Sequence, residues 1–451
     1  MREQHLTNPR QLALDLMNRV EETDSYINLL LPKLLAREDH ITDADRGLVQ
    51  ELSYGTLRWK GQYEAFIDVL TPGKTLSKPL RLCLGLGMHQ LFRMRIPPHA
   101  AIHESVELVK KFEPKAAGLA NAVLRNAERA GFDSLLKQSL ATKAGLDELA
   151  IRYSHPSWVV GALKSALELD GKGAELEGLL ESNNETPLVH LAALPGVIGP
   201  NETSAADYLE SLNLERGLAS PIGFIARGNP EPLLEHPGVK VQDQGSQLVA
   251  LALLAVGNKD GQWLDMCSGP GGKAALIDAD ISYFGGSLDC FEPIPRRAEM
   301  VRQALGPNSK AKVFVEYGQN AKLNHYDAVL LDAPCSGLGS VRRKPESRWR
   351  KKPEQLPELI RLQQELLEAA INSLKSGGVV LYSTCSPLIP ETNSQIKKAL
   401  EKHPQMSLEN SNQLLNSLNP NLQLGEKRKT TQLWTQTHGT DAMFIAILRK
   451  A

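Results

Sequence analysis

Two cysteines stand where chemistry could be done: Cys335 in LDAPCSG and Cys385 in LYSTCSPLIPETN, each just past an apolar run. A cysteine so placed is open to four readings: buried filler, half of a disulfide, a metal ligand, or a nucleophile held at a strand's end. A third motif, LDMCSGPGGK at residues 264–273, brings together Cys267, Ser268, Gly269, Pro270, Gly271, Gly272 and Lys273. Its glycines let the backbone pass close to a ligand and turn sharply into a helix. It does not have the spacing of a phosphate-binding P-loop, and no Ser or Thr follows Lys273. About twenty residues downstream, Glu292 in DCFEP stands where a carboxylate can accept both hydroxyls of an adenosine ribose. The turn and Glu292 together point to an adenosine-containing cofactor.

These residues need a scaffold that brings distant segments to one edge. From about residue 240, the runs GQWLDM, GGSLDCF, AKVFV, YDAVLLD and GGVVLYS alternate with helical stretches, and MFIAILR makes a plausible last strand. Near-continuous apolar strands of this kind are covered on both faces, which predicts a doubly wound α/β sheet with its ligands at the carboxyl ends of the strands. The fourth and fifth strands are normally neighbours, so Cys335 and Cys385 can converge on one cleft. Cys267 and Cys290 read as packing residues, and Cys83 as structural.

Upstream the texture differs. Residues 1–145 read as all-helical, with Leu12, Leu14, Met17 and Val20 on one apolar face and Leu48, Val49, Leu52 and Leu57 on another, opened by the cap candidate Asp43. The pair Pro97-Pro98 interrupts the helical pattern. Arg46, Arg58, Lys110, Lys111, Arg125 and Arg129 could make a basic face or a merely solvated one. Residues 146–238 read as a small α+β segment: YSHPSWVV and TSAADYLESLN as helices, PLVHLAAL and SPIGFIARG as strands, with His155 and Trp158 as packing residues. Residues 239–451 form the third part.

Composition narrows the class. A chain of 451 residues with 42% hydrophobic content can build several cores. Lys plus Arg (51) nearly balance Asp plus Glu (52), so any nucleic-acid surface must be local. No apolar run approaches the roughly 18–20 residues of a membrane span, and MREQHLTNPRQ lacks a secretory core. Five cysteines without C-x-x-C or H-x-x-x-H spacing argue against a disulfide framework and against zinc. A reduced, cytoplasmic, metal-free monomer is expected.

The set LDMCSGPGGK, LDAPCSG, YSTCSPLIPETN and YSHPSW resembles the RNA cytosine-5 methyltransferases of the RsmB/NOP/Sun family, and the resemblance covers nearly the whole chain. ADRGLVQELSYGTLRW and LANAVLRNAER look like the NusB-like extension of the branch that acts on bacterial small-subunit ribosomal RNA. The resemblance implies a NusB-like all-α domain, a small α+β (ferredoxin/RRM-like) linker domain, and a Rossmann-like class I methyltransferase domain using S-adenosyl-L-methionine. It further implies Cys385 as nucleophile, Cys335 as the group assisting proton removal and product release, and Asp332 facing both the cytosine and the cofactor. The cofactor would be held by residues 267–273, Glu292, Asp332 and the loop at Tyr317. Chemistry agrees with these parts. Carbon 5 of cytosine is a poor nucleophile until a thiolate adds to carbon 6 and makes the ring an enamine.

This chain departs from the family at Tyr317, where an Asp commonly meets the adenine; Glu316 or a backbone carbonyl could replace it. RNA contact is expected from SVRRKPESRWRKKPEQ, where Arg342, Arg343, Lys344, Arg348 and Arg350 surround Trp349. Three alternatives stay open: Cys335 as the attacking thiol, as in the DNA cytosine-5 enzymes; a transfer RNA or other ribosomal RNA substrate; and a non-catalytic RNA-binding assembly factor.

Overall fold

The computed structural model describes residues 8–451 apart from Asp24 and Asp39. Residues 1–7, read above for a signal, lie outside the described residues. The chain divides into two compact units, residues 1–185 with 341–351, and residues 186–340 with 352–451.

The first unit is helical, as the periodicity predicts. Helices Pro9–Glu22, Asp43–Arg58, Lys60–Leu70, Lys78–Arg93, Pro98–Phe112 and Ala117–Ala130 share one core. Leu12, Leu14, Met17, Val20, Val49, Leu52 and Leu57 are buried in it. The helix at Asp43–Arg58 is capped one residue earlier than expected: the Thr42 hydroxyl accepts from the Asp45 N–H at 3.1 Å, and Asp43 is the first helical residue. Pro98 opens the next helix at its first position, where its missing N–H costs nothing. Helices Leu146–Arg152, Ser157–Leu169 and Leu176–Ser182 belong to this unit, not with the small sheet that follows them in sequence. His155 is buried here, bonded to Asn183 and to the Tyr153 carbonyl.

The second unit holds two sheets. The smaller is antiparallel, built from β1 (Val189–Ala193), β2 (Glu215–Arg216), β3 (Gly223–Ala226) and β4 (Val239–Val241) in the order β2-β3-β1-β4. The larger begins with β5 (Gln262–Asp265), β6 (Ser287–Phe291), β7 (Lys312–Phe314), β8 (Tyr326–Asp332) and β9 (Leu374–Thr384). It is completed by β10 (Met406–Glu409), β11 (Thr431–Gln432) and β12 (Phe444–Lys450). Its order is β10-β12-β9-β8-β5-β6-β7, with β11 pairing on β12. The run from β7 to β9 is parallel; β12 is antiparallel to β9 and β10 to β12. β10 and β11 were not anticipated, being short and polar. Ala328 to Leu331 of β8 are fully buried, because side chains from both layers of helices cover the sheet. Such strands leave functional residues only their carboxyl ends. No helix among the described residues is long and apolar enough to cross a membrane.

Candidate active site

Because β8 and β9 pair in parallel with Asp332 opposite Ser383, the loops that follow them leave the sheet side by side. The Cys335 and Cys385 sulfurs, 50 residues apart in sequence, lie 3.4 Å from each other as free thiols, both half-buried. The Ser383 hydroxyl donates to Asp332 Oδ1 at 3.0 Å, and Lys273 Nζ donates to Asp332 Oδ2 at 2.7 Å. The ends of β5, β8 and β9 thus supply one cluster: an ammonium, a carboxylate and two thiols.

Charges in this cluster depend on one another. Burial pulls the Lys273 ammonium down, but the charge and hydrogen bond of Asp332 and the thiolate form of Cys385 outweigh it and hold Lys273 protonated. The attraction is mutual, so Lys273 favours a thiolate at Cys385. Cys335 is pushed well above the ordinary thiol value, first by its hydrogen bond with Cys385, then by burial, then by the charges of Cys385, Glu391 and Asp332. Cys335 is therefore held as a thiol by these surroundings.

Asp265, at the end of β5, is buried and pushed up to about 7, by burial and then by the charge of Asp332, against the pull of Lys273. Its native value exceeds its ordinary 3.8, so between those values the folded state binds more protons than the unfolded one. Asp265 thus contributes stability that is complete below about 4 and is lost as pH rises toward 7. Asp265→Asn is expected to remove this slope, which thermal melts of both proteins across pH 4–8 would measure.

The Gly-rich turn is held from three sides. The Ser268 N–H donates to the Phe291 carbonyl at 3.0 Å, its hydroxyl to the Asp265 carbonyl at 2.7 Å, and Arg297 to the Gly269 carbonyl at 2.8 Å. Gly271 has φ +108°, open to glycine, and starts the helix Gly272–Ile281. A Cβ on Gly269 would stand 2.1 Å from Glu292 Oε2. Glu292 itself is buried at the end of β6, with Oε1 accepting from the Ile294 N–H at 3.0 Å and Oε2 lying 3.4 Å from Arg297 Nη2. A backbone kept bare beside a buried carboxylate at adjacent strand ends fits an adenosine ribose. Cys267, half-buried in the turn, has its thiol pushed up by burial and by Asp265, Asp332 and Glu292, which leaves it inert. At the third strand's end Tyr317 is 64% exposed, while the Glu316 carboxylate is turned onto its own loop, accepting from the Tyr317 N–H and the Asn320 amide.

The basic stretch after Cys335 is a correction to the sequence reading. Residues 341–351 are built into the helical unit. Arg348 is wholly buried and donates to the Ser154 carbonyl (3.1 Å), Asn184 Oδ1 (2.7 Å) and the Asn183 carbonyl (2.9 Å). Trp349 donates to the Leu57 carbonyl and lies where a Cβ on Gly61 would be 2.3 Å from its ring. Arg350 bonds the carbonyls of Val20, Thr23 and Ser25, and the carbonyl of the buried Arg342 accepts from Arg58. Buried Glu346 takes the Ile27 N–H. Arg343 and Lys344 are half-buried, with the Lys344 ammonium 5.1 Å above the Tyr26 ring. Arg348 and Arg350 satisfy carbonyls at helix ends, and the wholly buried Arg348 is not open to RNA. Arg348→Ala strands three acceptors and is expected to cost about 3 kcal/mol or more of stability in urea unfolding. The salt dependence of RNA affinity should stay unchanged, since no phosphate contact is lost.

Sequence reasoning also missed residues that brace the cluster. Glu391, inside the quoted stretch LYSTCSPLIPETN, is fully buried and bonded to Ser336 and Ser386, the residues following the two cysteines. Arg297 was equally unmarked; the signal for both was their nearness in sequence to motifs already singled out.

Comparison with known proteins agrees with this layout. The family model described as 16S rRNA methyltransferase RsmB/F matches residues 251–449, and that of the NusB family matches residues 7–129. A Mycobacterium tuberculosis protein provisionally named methyltransferase Rv1407 is 37% identical over all of this chain and 98% of its own. Proteins named ribosomal RNA small subunit methyltransferase B are 32% identical. The one from Escherichia coli O6:K15:H31 aligns over 88% of this chain and 90% of its own, and that of Yersinia pestis over 89% and 92%. Among solved structures, PH0851 superposes with a TM-score of 0.77 at 20% identity, over 98% of this chain and 99% of its own. A methyltransferase homologue from Pyrococcus horikoshii gives 0.52 at 21% identity, over 68% and 99%. At these identities the two structures speak for the fold.

Proposed function

The chain belongs to the RsmB/F family of S-adenosylmethionine-dependent rRNA methyltransferases, and from that premise we propose that it methylates carbon 5 of a cytosine in small-subunit ribosomal RNA through a covalent bond from Cys385 to carbon 6. The observation that carries this reading is the pair of free thiols 3.4 Å apart at neighbouring strand ends, beside the Lys273–Asp332 ion pair.

S-adenosylmethionine, when bound, supplies the electrophilic methyl group that carbon 5 takes. Residues 267–273 and Glu292 would hold it, the glycines giving the backbone access and Glu292 the ribose contact. Tyr317 is offered as the adenine neighbour, since its ring is exposed where the family has an acid. Gly269→Ala sets a methyl group against Glu292 and is expected to weaken cofactor affinity at least about tenfold by calorimetric titration, while RNA binding holds.

Cys385 acts first. As a thiolate favoured by Lys273, it gives an electron pair to carbon 6; the displaced ring electrons end on nitrogen 3, which takes up a proton, and carbon 5 becomes an enamine carbon. The Lys273–Asp332 pair lies alongside to meet the charge at nitrogen 3. Once the Cys385 sulfur is committed to carbon 6, the hydrogen bond and charge that raised Cys335 are gone. Cys335 then loses its own proton to solvent more readily and becomes a base. It takes the carbon 5 proton; that C–H electron pair restores the double bond between carbons 5 and 6, Cys385 leaves as a thiolate, and nitrogen 3 returns to solvent the proton it drew from solvent in the first step. Both sulfurs must reach one ring, so the cytosine has to leave its stack.

The test is to offer unmethylated small-subunit RNA and methyl-labelled S-adenosylmethionine, digest the product to nucleosides and identify the labelled one. Label in 5-methylcytidine supports the reading; label in another nucleoside, or transfer only to transfer RNA, overturns it.

A further inference from the structure

Four hydrogen-bond donors converge on one buried carboxylate beneath the two thiols. Glu391 Oε1 accepts from the Ser336 N–H at 2.7 Å and from the Gln363 amide at 3.1 Å. Its Oε2 accepts from the Ser336 hydroxyl and the Ser386 hydroxyl, each at 2.5 Å. Its backbone carbonyl accepts from the Tyr382 hydroxyl on β9 at 2.7 Å. The Gln363 amide also donates to the Pro334 carbonyl at 2.9 Å, and its carbonyl takes the Gln395 amide at 3.2 Å. Ser336 directly follows Cys335, and Ser386 directly follows Cys385. No other residue described here bonds both of these neighbours.

We infer that Glu391 is the positioning residue of the thiol pair: its carboxylate clamps the loop after β8 to the loop after β9 and so fixes the distance between Cys335 and Cys385. The inference rests on the catalytic reading of those cysteines for its consequence, though not for its geometry. Loops are the mobile parts of a doubly wound fold, and β8 and β9 hold each other only as far as Asp332 and Ser383. Beyond them the two loops are joined by the Gly339 N–H on the Cys385 carbonyl at 2.9 Å, by the Ser336 and Ser386 hydroxyls 3.0 Å apart, and by Glu391, which bonds both of those hydroxyls. The carboxylate is suited to this because it accepts without donating, so four donors can meet it with no competing proton. Neutralising one oxygen converts an acceptor into a donor that faces two hydroxyls. The negative charge of Glu391 also lies on the side of Cys335, among the causes that keep its proton in place.

Two measurements on Glu391→Gln separate the clamp from the chemistry. The first treats the free protein with diamide and follows the Cys335–Cys385 disulfide by peptide mass mapping. Sulfurs held within contact distance oxidise together quickly; Glu391→Gln is expected to slow that bridge about tenfold or more. The second is methyl transfer, where a misplacement of about 1 Å is expected to lower kcat as much as 100-fold with KM for RNA and cofactor little changed. The acid limb of the kcat–pH profile should move to lower pH, because removing the charge lets Cys335, the base of the later step, ionise sooner. Ser386→Ala, which deletes one donor and no charge, should slow the disulfide less and leave that limb in place; it serves as the second variant if Glu391→Gln does not fold. Disulfide formation as fast as in the unsubstituted protein, in either variant with an unchanged melting temperature, overturns the clamp. A slowed disulfide with no effect on methyl transfer keeps the clamp as geometry and instead refutes the catalytic reading of the two cysteines.

Discussion

Cys385→Ala is expected to abolish methyl transfer, lowering kcat by roughly 10³-fold or more, while leaving the fold and cofactor binding intact. The size follows from what the thiolate does. Without a bond at carbon 6, carbon 5 stays part of an aromatic ring and has no electron pair to offer the methyl group. Among the neighbouring groups, Asp332 is engaged with Lys273 and Ser383 and does not take the thiolate's place. Alanine removes one half-buried sulfur, so the cost in stability should be about 1 kcal/mol. Single-turnover transfer on RNA, with a melt of the same sample, measures both. Activity within tenfold of the parent protein would end the nucleophile assignment.

The second large effect is opposite in kind. Cys335→Ala should leave the first bond to form and the methyl group to arrive, but remove the base that takes the carbon 5 proton. The protein is then expected to accumulate as a covalent RNA adduct, stable to denaturant and visible as a slow band in a denaturing gel, at close to one RNA per protein. Turnover should fall about 10²–10⁴-fold, as for other lost general bases. The geometry makes the outcome diagnostic, because the sulfurs are near enough for either to reach the same ring edge. Should Cys385→Ala trap the adduct and Cys335→Ala not, the roles are reversed and the order of the DNA cytosine-5 enzymes applies.

Much of this site could be read from the sequence because β5, β6, β8 and β9 are apolar on both faces and so announce themselves as buried strands. Side chains that could do chemistry were then to be sought at their ends, where the motifs offered Lys273, Glu292, Cys335 and Cys385, with the role of Asp332 implied by the family resemblance. What brings Asp332 and Ser383 level is the parallel register of β8 on β9, and adjacency of those strands is a general rule of doubly wound sheets. Residues 341–351 show where that logic fails. A run of Arg and Lys around a Trp has the composition of a phosphate-binding loop, yet here the guanidinium groups of Arg348 and Arg350 answer backbone carbonyls of the helical unit. Whether a cation meets phosphate or a buried carbonyl depends on partners 160 to 330 residues away, as with Arg348 and Asn184 or Arg350 and Val20. Glu391 was hidden for the same reason, since only the folded loops bring Ser336 to it across 55 residues.

The central claim, a bond from Cys385 to carbon 6, is tested most directly with small-subunit RNA transcribed with 5-fluorocytidine. Fluorine on carbon 5 cannot leave as a proton does, so after methyl transfer the ring cannot expel the sulfur and the bond to the protein persists. Digestion of the trapped complex and mass mapping of the modified peptide should place the methylated fluorocytidine on Cys385. Its attachment to Cys335, or methyl transfer without any trapped complex, would contradict the mechanism.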